Sequence, residues 1–99
     1  MYGTIFRMKV KGGQEQRVIQ IFEEWNTQQK PVVKGAIGGL VMKPDGSSDE
    51  LIGVAIFEDK QSYVANADNP GQQQWYAKLR DALEADPEWE DGEYVAADL

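Results

Sequence analysis

Among its 99 residues the chain has no cysteine and no histidine. Without cysteine there is no disulfide, no thiolate metal site and no cysteine nucleophile. Without histidine the commonest metal ligand is missing, and so is the one side chain whose ordinary pKa lies near neutrality. Positive charge is also scarce: 10 Lys and Arg stand against 17 Asp and Glu, a formal net charge of −7. That balance argues against nucleic acid, whose phosphates need a basic footprint, and against an anionic membrane surface. No apolar run approaches the ~20 residues that a membrane span needs. Met1 leads directly into an alternating pattern with no signal peptide. The expected setting is therefore soluble and cytoplasmic, with neither nucleic acid nor membrane as a partner.

What is present reads as one globular domain over residues 1–99, since 41% of the chain is hydrophobic and 27% charged. In residues 2–10, Tyr2, Thr4, Phe6, Met8 and Val10 alternate with Ile5, Arg7 and Lys9, the period of a strand. Residues 14–30 predict a helix, with Val18, Ile21, Phe22 and Trp25 on one stripe and Pro31 at its end. Residues 36–42 and 51–57 form a hairpin around Pro44-Asp45-Gly46, with the proline at position i+1 of a type I turn. The Gly38-Gly39 pair marks a bulge or a close approach to the backbone. Asp59 caps a short helix over 60–66. A longer helix over 72–85 carries Trp75, Leu79, Ala82 and Leu83, with Tyr76 beside the stripe, and residues 89–96 form a final acidic strand. The order β-α-β-β-α-β is the ferredoxin-like arrangement, an α+β fold with an antiparallel sheet whose first and third strands are central.

Helices cover one face of such a sheet, so the other should be polar. It is not. Leu51, Gly53, Ala55 and Phe57 make one face of the third strand, while Ile52, Val54 and Ile56 make the other. Exposing those three residues forgoes roughly 1.5–3 kcal/mol each. No segment of the chain is left to cover them. The expectation is a homodimer closed face to face through Ile52, Val54 and Ile56.

The chain resembles the antibiotic biosynthesis monooxygenase-like proteins of the dimeric α/β-barrel superfamily over nearly its whole length. The resemblance lies in Thr4-Ile5-Phe6-Arg7-Met8-Lys9-Val10-Lys11-Gly12-Gly13 opening into an amphipathic helix, and in Leu51-Ile52-Gly53-Val54-Ala55-Ile56-Phe57-Glu58-Asp59-Lys60-Gln61-Ser62-Tyr63, a buried strand running into a capped helix. Trp75-Tyr76-Ala77-Lys78-Leu79-Arg80 on the last helix is the third piece. The resemblance implies a dimeric α/β barrel. It also implies oxidation of a small aromatic or phenolic substrate by molecular oxygen, without metal or flavin, in a pocket between sheet and helices. Haem-degrading relatives use an axial histidine, which this chain lacks. A non-catalytic small-molecule-binding or association protein on the same dimeric scaffold is the other reading.

Relatives of the oxygenase type work with asparagine, tryptophan, tyrosine and arginine side chains, so Tyr63, Asn66, Tyr76 and Arg80 are the catalytic candidates. Arg7, Trp25 and Trp75 are the expected pocket lining. Each has a plainer reading: Trp25 and Trp75 as core anchors, Tyr63, Tyr76 and Asn66 as surface positions, Arg80 as partner of Asp81 or Glu84, Arg7 in an interface ion pair. The acidic residues from Asp81 to Glu93 lack the glycine and oxygen spacing of a calcium loop. They suit an edge strand that must not pair with strangers. No metal and no cofactor are expected.

Overall fold

The structure is a computed structural model that describes residues 1–98. Its four strands are β1 (Tyr2–Lys9), β2 (Ala36–Met42), β3 (Glu50–Phe57) and β4 (Glu88–Glu93). They form one antiparallel sheet in the order β2-β3-β1-β4, with the first and third strands central as expected. Three helices, α1 (Glu15–Glu24), α2 (Lys60–Ala67) and α3 (Pro70–Asp81), complete the ferredoxin-like α+β fold.

The register settles which sheet face meets the helices. Phe6 and Met8 of β1 and Leu51 and Phe57 of β3 are buried, and Phe6, Met8 and Leu51 join Val18 and Ile21 of α1 and Trp75 and Leu79 of α3 in one core. Ile5, Ile52, Val54 and Ile56 point the other way. There Ile5 and Leu40 both lie across from Val54, and Met42 lies across from Ile52. Leu40 is 64% exposed and Met42 55%, so this face is an apolar band that the chain leaves open.

Several glycines are dictated by close approach. At Gly53 a Cβ would collide with the ring of Phe6, so the bare backbone gives that ring its seat. Gly35 has φ +82°, and a side chain there would strike Ser62. Gly39 sits where a Cβ would meet the Val54 carbonyl at 2.8 Å, and the register shifts between Ala36 and Gly38, so the Gly38-Gly39 pair is both a bulge and a close approach.

Several boundaries differ from expectation. The first helix does not run as α-helix to Pro31. It widens into a π turn over Trp25–Gln29 and then tightens into a 3-10 turn over Lys30–Val32. The Thr27 hydroxyl donates to the carbonyls of Glu23 and Glu24 at 3.1 and 3.2 Å, competing with the regular ladder. Pro31 is tolerated because the opening of a 3-10 turn asks nothing of its missing N–H. In the hairpin the Ser47 N–H donates to the Pro44 carbonyl, so proline is at position i of the turn. Gly46 at φ +78° takes i+2, which makes the turn type II. The last strand ends at Glu93, across from Tyr2, and the Tyr94 N–H makes the final bond, to the Met1 carbonyl at 2.9 Å; Tyr94 then lays its ring over Gly3 on the open face. There its hydroxyl donates to the Ala55 carbonyl at 2.9 Å. Asp59 does cap α2, accepting from the Ser62 N–H at 2.8 Å. That bond holds the Asp59 carboxyl below its usual range.

Candidate functional site

A cavity of about 830 Å³ opens between the buried sheet face and the helices. Its position follows from the chain. Phe6 faces inward from β1, Phe22 and Trp25 from the end of α1 and the π turn, Trp75 and Tyr76 from α3, and Trp89 from β4. All three tryptophans of the chain line it. Several rings meet edge to face or tilted, Phe6 to Trp89 at 4.9 Å, Phe22 to Trp75 at 5.2 Å and Trp25 to Trp75 at 6.5 Å, while Phe6 stacks on Phe22 at 5.9 Å. Such contacts fix the wall geometry as well as excluding water.

The π turn matters here. Trp25 reaches the cavity on the regular stripe of α1, and the π turn that starts there carries Asn26 onto the wall beside it. The indole nitrogens are then spent on structure. Trp25 Nε1 donates to Gln72 Oε1 and Trp75 Nε1 to the Ile21 carbonyl, both at 2.8 Å. These two bonds tie α1 and its π turn to α3.

Of the four residues expected to do chemistry, Tyr63, Asn66 and Tyr76 line this cavity. Asn66 is 8% exposed, and its Oδ1 is sealed from solvent with no hydrogen-bond partner, a costly arrangement in a finished protein interior. Tyr63 donates its hydroxyl to Asp91 Oδ1 at 2.9 Å. Burial, then that bond and the Asp91 charge, push its pKa up to about 12. Burial and the neighbouring Asp86 carboxylate also raise Tyr76. Both phenols are therefore hydrogen-bond donors at neutral pH rather than bases.

The two arginines stand elsewhere. Arg80 is outside the cavity, with Nε 2.7 Å from Asp86 Oδ1 and Nη1 3.0 Å from the Leu83 carbonyl. Its neighbour Leu79 takes the buried stripe of α3, which turns Arg80 toward the chain reversal that follows. Arg7 is not pocket lining either. The pocket lies on the Phe6 and Met8 side, and strand alternation sends Arg7 to the open face, across from Ile52 and Glu88. Trp25 and Trp75 line the cavity. Unexpected lining comes from Trp89 and Asp91 on β4, and from Gln72. Period two within 88–93 was the signal for them: it places Trp89 and Asp91 on one face and Glu88 and Glu90 on the other. Among the described residues no three acidic side chains are grouped to hold a metal ion, and no helix is long and apolar enough to cross a membrane.

One consequence is measurable. Tyr63 is protonated in the fold to a higher pH than in the unfolded chain, where its pKa is near the ordinary 10.0. Its contribution to stability is thus complete below pH 10 and is lost as pH rises through about 12. In an alkaline titration followed by tyrosine absorbance, the last of the four tyrosines to ionise should vanish in Tyr63→Phe. A Tyr63→Phe curve that keeps that last phase would reassign it.

Comparison with known proteins gives the fold a setting. No family model matches the chain, and no curated protein matches it. Solved structures do. The cofactor-independent oxygenase SnoaB from Streptomyces nogalater, in a variant with one asparagine changed to alanine, superposes with a TM-score of 0.83 at 12% identity, over 97% of this chain and 94% of that one. A proposed antibiotic biosynthesis monooxygenase from Chloroflexus aurantiacus J-10-fl gives 0.79 at 22% identity, over 98% and 95%. A protein of unknown function from Nitrosomonas europaea gives 0.78 at 18%, over 99% and 92%. The chain therefore has the fold of the antibiotic biosynthesis monooxygenase-like proteins, along almost its entire length.

Proposed function

We propose that the protein binds a small aromatic or phenolic molecule in this cavity and oxidises it with molecular oxygen, without metal or flavin, as a homodimer. The observation that carries the reading is the cavity itself: about 830 Å³, walled by aromatic rings, with a buried asparagine whose oxygen has no partner. A planar substrate of two or three rings fits a space of that size. The shared fold with an oxygenase that needs no cofactor supports the chemistry.

The steps fall to this chain's residues as follows. The aromatic wall excludes water and holds the ring plane. Asn66 and Gln72 supply side-chain amides that orient a hydroxyl. Their N–H groups face the oxygen of the substrate as it loses its proton and becomes the electron-rich donor, while the Tyr63 and Tyr76 hydroxyls, held protonated, stay on Asp91 and Asp86 and fix the wall. At a methylene flanked by two aromatic rings the balance closes with oxygen alone. Two C–H bonds break, one oxygen atom enters as the new carbonyl, and the other leaves as water. Both arginines lie outside the cavity, so charge stabilisation comes from neutral donors. That same placement favours the second reading, a binding protein that does no chemistry.

Incubation with a dihydroxyanthrone in air, with a strong chelator present, separates the two. Quinone should form at least ~10²-fold faster than in buffer. Asn66→Ala should remove most of that acceleration while leaving the fold intact by circular dichroism. A wild-type rate equal to buffer would leave only binding.

A further inference from the structure

We propose that this cavity selects its ligands by charge, taking planar aromatics that are neutral or cationic and turning away those that carry a carboxylate. The inference rests on the reading of the cavity as an aromatic-ligand site and concerns which aromatics enter it.

A census of the wall carries it. The indole N–H groups of Trp25 and Trp75 are committed within the protein, to Gln72 Oε1 and the Ile21 carbonyl. The Tyr63 hydroxyl is committed to Asp91 at 2.9 Å, and that of Tyr76 lies 3.4 Å from Asp86. Among the described residues Lys43 is the only cation on the wall, and its Nζ is 3.1 Å from Glu15. Two further carboxylates, Glu23 and Asp91, also line the cavity. Neither pairs with a lysine or arginine among the described residues. What the wall can still donate is side-chain amide N–H and the indole N–H of Trp89, which serve a hydroxyl as well as an anion and bring no net charge.

A ligand carboxylate would therefore surrender its hydration to meet uncompensated negative charge. An ammonium would meet those same carboxylates and the faces of the indole rings, both attractive. A hydroxyl bears neither consequence. Discrimination of this kind is set by what the wall repels as much as by what it holds.

Three matched probes test it: naphthoate, naphthylmethanol and naphthylmethylammonium, measured by equilibrium dialysis against the whole protein at low salt. Naphthoate should bind at least about tenfold more weakly than the alcohol, and the ammonium as tightly as the alcohol or more so. Asp91→Asn should narrow the gap between naphthoate and the alcohol, and added salt should narrow it further. Naphthoate binding within about twofold of the alcohol would overturn the charge selection while leaving the aromatic site standing. A gap unmoved by either Asp91→Asn or Glu23→Gln would overturn it too. Failure of the alcohol itself to bind would remove the aromatic-ligand reading and this inference together.

Discussion

Replacement of Trp75 by alanine is expected to destabilise the fold by about 3–5 kcal/mol, the range for deleting a buried tryptophan from a packed core. Trp75 is 9% exposed and joins the core to the cavity, with Phe22 and Trp25 against its ring. The loss would come from the hole rather than from the broken hydrogen bond. Its acceptor, the Ile21 carbonyl, also takes the Trp25 backbone N–H, so it is not left bare. A domain of this size holds ~5–15 kcal/mol in all, and the melting midpoint should fall on the order of 20 °C. Trp89→Ala is the matched comparison. Its ring lines the same cavity but is 47% exposed, and its removal should cost under about 1 kcal/mol. Urea unfolding of the two variants separates a core anchor from a rim. Equal losses would mean that Trp75 is not the keystone of the helix layer.

The contrast shows what the sequence could and could not disclose. Alternation in β1 identified Phe6 and Met8 as one face, and the stripe spacing identified Val18, Ile21, Trp75 and Leu79, because burial periodicity is local information. Which side of the sheet receives the helices was not legible, since β3 is apolar on both faces and neither pattern breaks the tie. Arg80 illustrates a second limit. Its position on α3 follows from the helical period, but its partner Asp86 lies beyond the helix end, where the chain reverses. Only the three-dimensional path brings them together. Thr27 is a third case: a hydroxyl that competes for carbonyls shifts the helix into a π turn, and that competition has no periodic signature. Asp91 was available in principle. Reading the acidic strand as one run of charge hid the alternation that sends Asp91 to the cavity beside Tyr63 and Glu90 away from it.

The open sheet face has the largest expected response to a single change. Val54 lies between Ile5 and Leu40 in the register, at the middle of the apolar band formed with Met42, Ile52 and Ile56. In the proposed homodimer this band meets its own copy, so Val54→Asp acts twice per dimer. Each substitution forfeits roughly 1.5–3 kcal/mol of apolar burial. Each also places a carboxylate where desolvation is uncompensated; that face of β1 carries Arg7 and Lys9, and neither lies directly across from Val54, which faces Ile5. Forfeiting burial twice alone raises the dissociation constant by about 10²–10⁴. The monomer should survive, because Val54 is outside the core of Phe6, Met8, Leu51 and Leu79. Sedimentation at micromolar concentration should therefore give twice the chain mass for the wild type and a single folded chain for Val54→Asp. Gln28→Asp, the same gain of charge at an exposed position on the π turn, should leave the dimer whole. A wild-type protein that sediments as one chain would mean that the band is tolerated in water. A Val54→Asp protein that stays dimeric would mean that the two copies meet somewhere else.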